Sequence, residues 1–356
     1  MKIGILTHHY PENRNYGAML QLFATYTTIL KLGHTPVVIN YKFTEDKVES
    51  IKSLTRDFIL THLGTQPFIE FSNKYLPNKT NEVTSSCAKE LNSSIDLFLV
   101  GSDQVWRYSY VPNLEDFFFS FVDDSHKKIS YAASFGLDKL NVPAKVLERV
   151  KELIKRFDAI SVRETSGVKI CEELGVYAQL VLDPVFLLEE EEYLKLIKNE
   201  EIFTRVNDRY IAHMLLDDYS GNINFINNLA SKMNRKVFDL KGIKYPIVNR
   251  ITNKLYSIPQ WLNFIKNSEM IITDSYHCVA FCIILKKPFI CIANPNRGMA
   301  RLESLLGLLG LKHLFVTDAE YYKIDQIPEI DYNVVYEKLA FLKANSLEFL
   351  KEGLRT

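Results

Sequence analysis

The 356-residue chain has no excess of charge of either sign: Lys plus Arg and Asp plus Glu both total 43. A balanced chain sets up no long-range field to gather polyanions, so no nucleic-acid partner is expected and any membrane contact is expected to be peripheral at most. No apolar run approaches the roughly 20 residues needed to cross a bilayer. The apolar part of MKIGILTHHY is too short for a secretory signal and reads as an opening strand. Cysteine is scarce: five residues, odd in number and scattered at Cys87, Cys171, Cys278, Cys282 and Cys291. That pattern excludes a disulfide framework and points to a reducing, cytoplasmic setting. Cys278 and Cys282 share a helix face without a second pair, so they read as core residues and no metal site is expected. There is no GxGxxG fingerprint, no internal repeat and no low-complexity segment.

What is present is alternation of short apolar runs with amphipathic stretches over a length that favours two domains. The expected fold is α/β, with two Rossmann-like parallel-sheet domains facing across a cleft. The first is expected over 1–188, with a helical insertion at about 42–92 that includes runs near Ile51 to Leu63 and Ile69 to Tyr75. The second is expected over 205–330, with a helix at 332–356 packing back on the first. The acidic run Glu189 to Glu192 reads as a solvated helix face and linker.

In such domains ligands bind where strands end at their carboxyl edge and helices begin, because unpaired N–H groups and the helix dipole favour anions there. The segment Met270 to Cys291 reads as strand, turn, helix, strand, with Thr273, Asp274 and Ser275 in the turn and His277 in the first helical turn. Asp274 or Ser275 is expected to cap that helix, and His277 is either a ligand of an anion or a hydrogen-bonded structural histidine. A second strand end, Ile95 to Val100, runs into Gly101-Ser102-Asp103-Gln104-Val105-Trp106-Arg107. Asp103 can bind or deprotonate a hydroxyl and Trp106, Tyr108 and Tyr110 can stack on a sugar face, or the segment is a capped turn over packed rings. Arg163 follows the strand Ala159 to Val162 and can clamp an anion or pair with Glu164 or Asp183. Gly17, in Asn15-Tyr16-Gly17-Ala18, either admits a ligand to the backbone or serves packing. Arg297 and Arg301 follow the strand Phe289 to Ala293, within reach of the Thr273 to His277 turn. His213 reads as structural.

Taken together and in order, Asn15-Tyr16-Gly17-Ala18 with Gln21, Val100 to Trp106, Ile129-Ser130-Tyr131-Ala132-Ala133-Ser134-Phe135-Gly136, Val162-Arg163-Glu164, Leu182-Asp183-Pro184-Val185-Phe186, Thr273-Asp274-Ser275-Tyr276-His277 and Lys287-Pro288-Phe289 resemble the polysaccharide pyruvyl transferase family. The resemblance runs from near residue 3 to near residue 311 and implies a GT-B-like fold. It also implies transfer of a pyruvyl group from phosphoenolpyruvate to two hydroxyls of a saccharide acceptor, free or lipid-linked, with no further cofactor. The donor is then expected between the domains. It would be held by Arg163, Ser275, Tyr276, Arg297 and Arg301, with His277 and Asp103 catalytic and Asn15, Tyr16, Gly17, Ser102, Trp106 and Asp183 lining the acceptor side or cleft. One departure stands out: relatives often carry an arginine before the Leu-His of the turn, whereas this chain has Ser275-Tyr276-His277, so Arg297 or Arg301 is expected to supply the cation. A nucleotide-sugar glycosyltransferase and a non-catalytic glycan-binding or assembly protein are the alternative readings.

Overall fold

The computed structural model describes residues 1–42, 64–198, 209–217, 219–247, 250–317 and 327–355. The expected helical run Ile51 to Leu63 lies outside the described residues. In the first half, β1 (Lys2–Leu6), α1 (Tyr16–Lys31) and β2 (Thr35–Val38) are followed by helical residues 64–75 (α2) and β3 (Leu97–Val100). Then come β4 (Lys127–Ala133), α3 (Ala144–Ile154), β5 (Ala159–Val162), α4 (Thr165–Glu173), β6 (Gln179–Leu180) and α5 (Glu190–Lys198). The second half contains β7 (Tyr210–Met214), α6 (Ser220–Lys232), β8 (Lys236–Asp239), β9 (Ile243–Ile247), β10 (Arg250–Lys254), α7 (Ile258–Asn267) and β11 (Met270–Thr273). It continues through α8 (Tyr276–Ile284), β12 (Phe289–Ile292), α9 (Ala300–Leu309), β13 (Phe315–Val316) and α10 (Tyr332–Gly353).

Among the described residues the strands make a six-stranded parallel sheet in the order β2-β1-β3-β4-β5-β6 and a five-stranded one in the order β13-β12-β11-β7-β8. Both are doubly wound, so each has a point where the strand order reverses: between β1 and β3 in the first sheet, and between β7 and β11 in the second. Ligands of open α/β sheets bind outside the strands' carboxyl ends at such points. Asp103 follows β3 and Asp274 follows β11, so the two reversal points carry the residues singled out by sequence. The antiparallel hairpin of β9 and β10 was not expected.

The two sheets do not have separate interiors. One apolar cluster runs from Ile3, Ile5 and Leu20 of the first sheet's layer to Trp261, Leu262, Val279 and Phe281 of the second. Tyr16 at the start of α1 stacks on Trp261 of α7, with ring centroids 5.0 Å apart and an 11° tilt, and donates its hydroxyl to the Tyr256 carbonyl at 3.0 Å. Helix α8 shows why the contact is so extensive: all nine of its residues are buried, as a helix apolar on every side requires. Helix α10 begins on the second sheet, where the Tyr332 hydroxyl meets the Lys287 carbonyl, and ends on the first, where the Ser346 hydroxyl receives the Leu182 N–H at 2.9 Å. In the acidic run near α5, Glu189 and Glu191 are exposed as expected, and Glu190 and Glu192 are half-buried. Glu192 pairs with Lys31 of the first domain, Glu190 with Lys286 of the second, and Glu189 with Lys343 of α10. The result is the GT-B-like arrangement of two parallel-sheet domains, joined on one side by a shared core.

Because that core couples the domains, urea denaturation is expected to show one cooperative transition. Trp261→Ala should cost about 3–5 kcal/mol, as removal of a buried aromatic does, measured from the shift in midpoint at constant slope.

Candidate active site

Arg163 is fully enclosed at the carboxyl end of β5. Its Nη1 donates to Asp183 Oδ2 at 2.6 Å and, weakly, to Ser102 Oγ at 3.4 Å; its Nη2 donates to Asp103 Oδ1 at 3.0 Å. Of the two pairings considered from sequence, Asp183 is therefore the partner and Glu164 is not. Glu164 turns the other way, and one of its oxygens accepts from Ser134 Oγ and from the N–H groups of Phe135 and Gly136 at 2.9 to 3.2 Å. That anchor holds the loop after β4. Its register shifts between Ser130 and Ala133, and Ala132 at φ 51° turns the strand out of its plane as a rim bulge does.

Asp103 itself adopts φ 73°, a left-handed conformation that a non-glycine residue takes only when its surroundings over-determine it. Its carbonyl accepts from the Val105 and Ser134 N–H groups at 2.8 and 3.0 Å, which fixes the turn, and its carboxylate is thereby aimed at Arg163. Burial works to raise the Asp103 carboxyl, but Arg163, and after it His277, hold it far below the usual carboxylate range. Burial likewise opposes the Asp183 charge, and His277 and Arg163 still hold that carboxyl down to about 2.

The second domain closes over this cluster with Thr273 to His277. Ser275, not Asp274, caps α8, accepting from the Cys278 N–H at 3.5 Å. Asp274 is turned into its own domain, where it accepts from the Leu216 N–H at 2.7 Å and from Asn294 Nδ2 at 2.6 Å. Tyr276 lays its ring under the Arg163 guanidinium at 4.6 Å, with Arg301 at 5.8 Å. His277 presents Nε2 to Asp183 Oδ2 at 3.6 Å, too long for a hydrogen bond, and this buried nitrogen has no hydrogen-bond partner. The ring's other edge rests on Gly17, where a β-carbon would lie 2.0 Å from Nδ1. Gly17 is thus small because the histidine occupies the space. Asn15 caps α1 through the Ala18 N–H at 3.1 Å.

Arg301 is buried at the same junction, and its Nε has no partner. It makes no ion pair among the described residues; its Nη2 donates to the Arg297 carbonyl at 2.9 Å. Burial first, and then the neighbouring Arg163, lower it to about 10, so it remains charged at neutral pH. Arg297 stands further out, paired through Nε and Nη2 with both oxygens of Asp217 at 2.9 and 2.7 Å. Trp106 departs from the sugar-stacking expectation: it is fully buried, stacked on Phe118 at 4.8 Å, and donates Nε1–H to the Phe117 carbonyl. The strand-end turn buries it because Val105 and Trp106 point into the core while Tyr108 and Tyr110 stay outside.

A model of the family described as polysaccharide pyruvyl transferase matches residues 15–296. The chain belongs to the polysaccharide pyruvyl transferase family. It is therefore a transferase. No curated protein matches it. Among solved structures it is similar to the glycosyltransferase from Rickettsia africae ESF-5, with TM-score 0.49 and 12% identity over 100% of this chain and 98% of that one. It is also similar to UDP-GlcNAc 2-epimerase from Neisseria meningitidis bound to UDP-GlcNAc, with TM-score 0.48 and 10% identity over 100% and 95%. A third is the ADP-heptose lps heptosyltransferase II of E. coli, with TM-score 0.36 and 12% identity over 97% and 99%.

Within this member of the family the junction gathers Asp103, Ser102, Arg163 and Asp183 from one domain with Tyr276, His277 and Arg301 from the other. Sequence reasoning did not find His8, whose Nε2 lies 3.3 Å from the Gln104 carbonyl, nor the anchoring role of Glu164, nor Asp217 and Arg107. All of them follow the carboxyl end of a parallel strand, and that position was the available signal. Among the described residues no helix is long and apolar enough to cross a membrane, and no group of three or more His, Cys, Asp or Glu side chains could hold a metal ion.

Gly17→Ala should displace His277 and destabilise the protein by about 1–3 kcal/mol, the usual cost of overpacking, read as a lower midpoint in urea. For Asp183 the folded value of about 2 lies below the unfolded value of about 3.9, so its stabilisation is complete above the unfolded value and is lost as pH falls from about 4 through about 2. Asp183→Asn should flatten that acid limb in a stability-versus-pH series.

Proposed function

We propose that the protein moves a pyruvyl group from phosphoenolpyruvate onto two hydroxyls of one sugar in a cell-surface polysaccharide or its lipid-linked precursor, giving a cyclic ketal and phosphate. Two C–O bonds form at the donor's C2, the C2–O bond to phosphate breaks, and of the two hydroxyl protons one ends on the new methyl group and one on phosphate. No oxidation state changes in the acceptor, so no redox cofactor is called for. Contact with a membrane would be peripheral, to reach a lipid-linked acceptor from the cytoplasmic face.

The observation that carries this reading, beside family membership, is the set of unpartnered buried nitrogens at the junction: His277 Nε2, Arg301 Nε and Arg163 Nε. Buried donors without partners are costly unless a ligand satisfies them, and three nitrogens from residues near the amino ends of α4, α8 and α9 suit a dense anion. Arg163 has both terminal nitrogens engaged by carboxylates, whereas Arg301 does not, so Arg301 takes the place of the arginine that Ser275 does not provide. His277 is the proton carrier in this scheme. A carboxylate held as low as Asp103 is a weak base, and its task is to orient Arg163 and the acceptor rather than to abstract a proton. The Tyr276 ring lies within 4.6 Å of the Arg163 guanidinium and 5.8 Å of the Arg301 guanidinium, and the Ser275 cap fixes the start of α8.

Purified protein given phosphoenolpyruvate and a panel of lipid-linked oligosaccharides should release phosphate and produce an acceptor heavier by one pyruvate less one water. Release of nucleotide from a nucleotide sugar instead would overturn the proposal. His277→Ala should lower kcat at least a hundredfold, the ordinary scale for losing an acid or base. Arg301→Ala should raise KM for phosphoenolpyruvate at least tenfold, about 1.4 kcal/mol of lost binding. Unchanged steady-state constants in both variants would remove these assignments.

A further inference from the structure

Outside the buried cluster the junction changes character. Four of the ten exposed large apolar side chains among the described residues, Tyr108, Tyr110, Leu216 and Tyr219, lie in the loops after β3 and β7. These are loops at the two reversal points, and they are exposed by 37 to 42% where the buried rings around them are not. The turn Pro295–Arg297 ties the two sides together. Asn296 Nδ2 donates to the Tyr219 hydroxyl at 2.6 Å, and the Tyr110 hydroxyl lies beside the next residue, Arg297. The Tyr110 ring is held face-on to the Arg107 guanidinium at 4.2 Å, and Arg107 Nη1 reaches across the junction to the Arg297 carbonyl at 3.3 Å. Gly298 follows at φ 82°, so close to the Gly136 carbonyl that a β-carbon would sit 2.1 Å from it. The mouth is therefore built by both domains at close contact.

Its charge differs from that of the interior. The Arg297 guanidinium is matched by both oxygens of Asp217, and Asn294 donates to the same carboxylate at 2.9 Å. A neutralised pair offers little to a trianion. It does offer planar donors and acceptors side by side, which suits hydroxyl groups that both give and accept hydrogen bonds, while exposed rings suit the C–H faces of a pyranose. The pair is continuous with the interior, since Arg301 donates to the Arg297 carbonyl.

We infer that Tyr110 and Tyr219, with Asn296, Arg297 and Asp217 between them, form the subsite for the neutral saccharide acceptor, one ring contributed by each domain. The inference rests on the proposed reaction for the word acceptor, but saccharide binding at this mouth can be measured without any reaction. Saturation-transfer NMR titrations of the full chain, without phosphoenolpyruvate, with methyl glycosides of galactose, glucose, mannose and N-acetylmannosamine should detect binding of at least one. Tyr110→Ala and Tyr219→Ala should each weaken that binding about tenfold. Tyr110→Phe and Tyr219→Phe should keep most of it, and Tyr177→Ala, 82% exposed at the opposite end of the first sheet, should leave it unchanged. Binding of none of the glycosides, or binding indifferent to both alanine variants, overturns the subsite. If glycosides bind through the two tyrosines but phosphoenolpyruvate never yields phosphate, the subsite stands and the reaction falls. If turnover occurs with an acceptor KM unchanged in both alanine variants, the reaction stands and the subsite falls.

Discussion

The enclosed Arg163 guanidinium is the constraint on which the rest of the junction depends. A cation taken fully out of water is tolerated only when opposite charges and hydrogen bonds replace its hydration, and here that takes Ser102 and Asp103 from the loop after β3 and Asp183 from the loop after β6. Arg163 itself follows β5, so satisfying one arginine fixes how β3, β5 and β6 end. It also explains the left-handed turn at Asp103, which a looser site would not sustain. The second domain completes the enclosure with the Tyr276 ring, so the cation is satisfied only when both domains are in place.

From that constraint follows a division between filled and unfilled positions. Arg163 has its terminal nitrogens occupied, whereas its Nε, Arg301 Nε and His277 Nε2 are buried with no hydrogen-bond partner, the positions at which the proposed anionic donor would be held. Moving outward, the balance of charge changes within a few residues of one chain segment. Among the described residues Arg301 has no ion-pair partner inside, and Arg297 is paired with Asp217 outside. On the proposed function, a gradient of that kind would separate the anionic donor from the uncharged acceptor without any moving part.

The shared apolar core limits what the two domains can do relative to each other. Interfaces that are small and polar let domains move, but here Tyr16, Trp261, Tyr193 and Phe281 pack as one interior. Close approaches at Gly17 and Gly298 add to it, since each glycine sits where even a methyl group would collide with the opposite domain. The glycines therefore serve the fit of one domain to the other.

Strand and helix positions were legible because short apolar runs and caps act locally: the cap before α8, the helix from Tyr332 and the strands around Asp103 and His277 all follow from neighbours in sequence. So was the list of site candidates, since residues after parallel strands face the ligand edge whatever the detailed packing. What sequence left open was direction. Nothing local says that Trp106 turns inward while Tyr110 stays out, that Asp274 faces its own domain, or that Glu164 holds a loop while Asp183 takes the arginine. Those choices depend on which partners are brought within about 3 Å of one another, as a hydrogen bond demands. Here the partners lie tens to hundreds of residues apart, so only the tertiary fold could decide them.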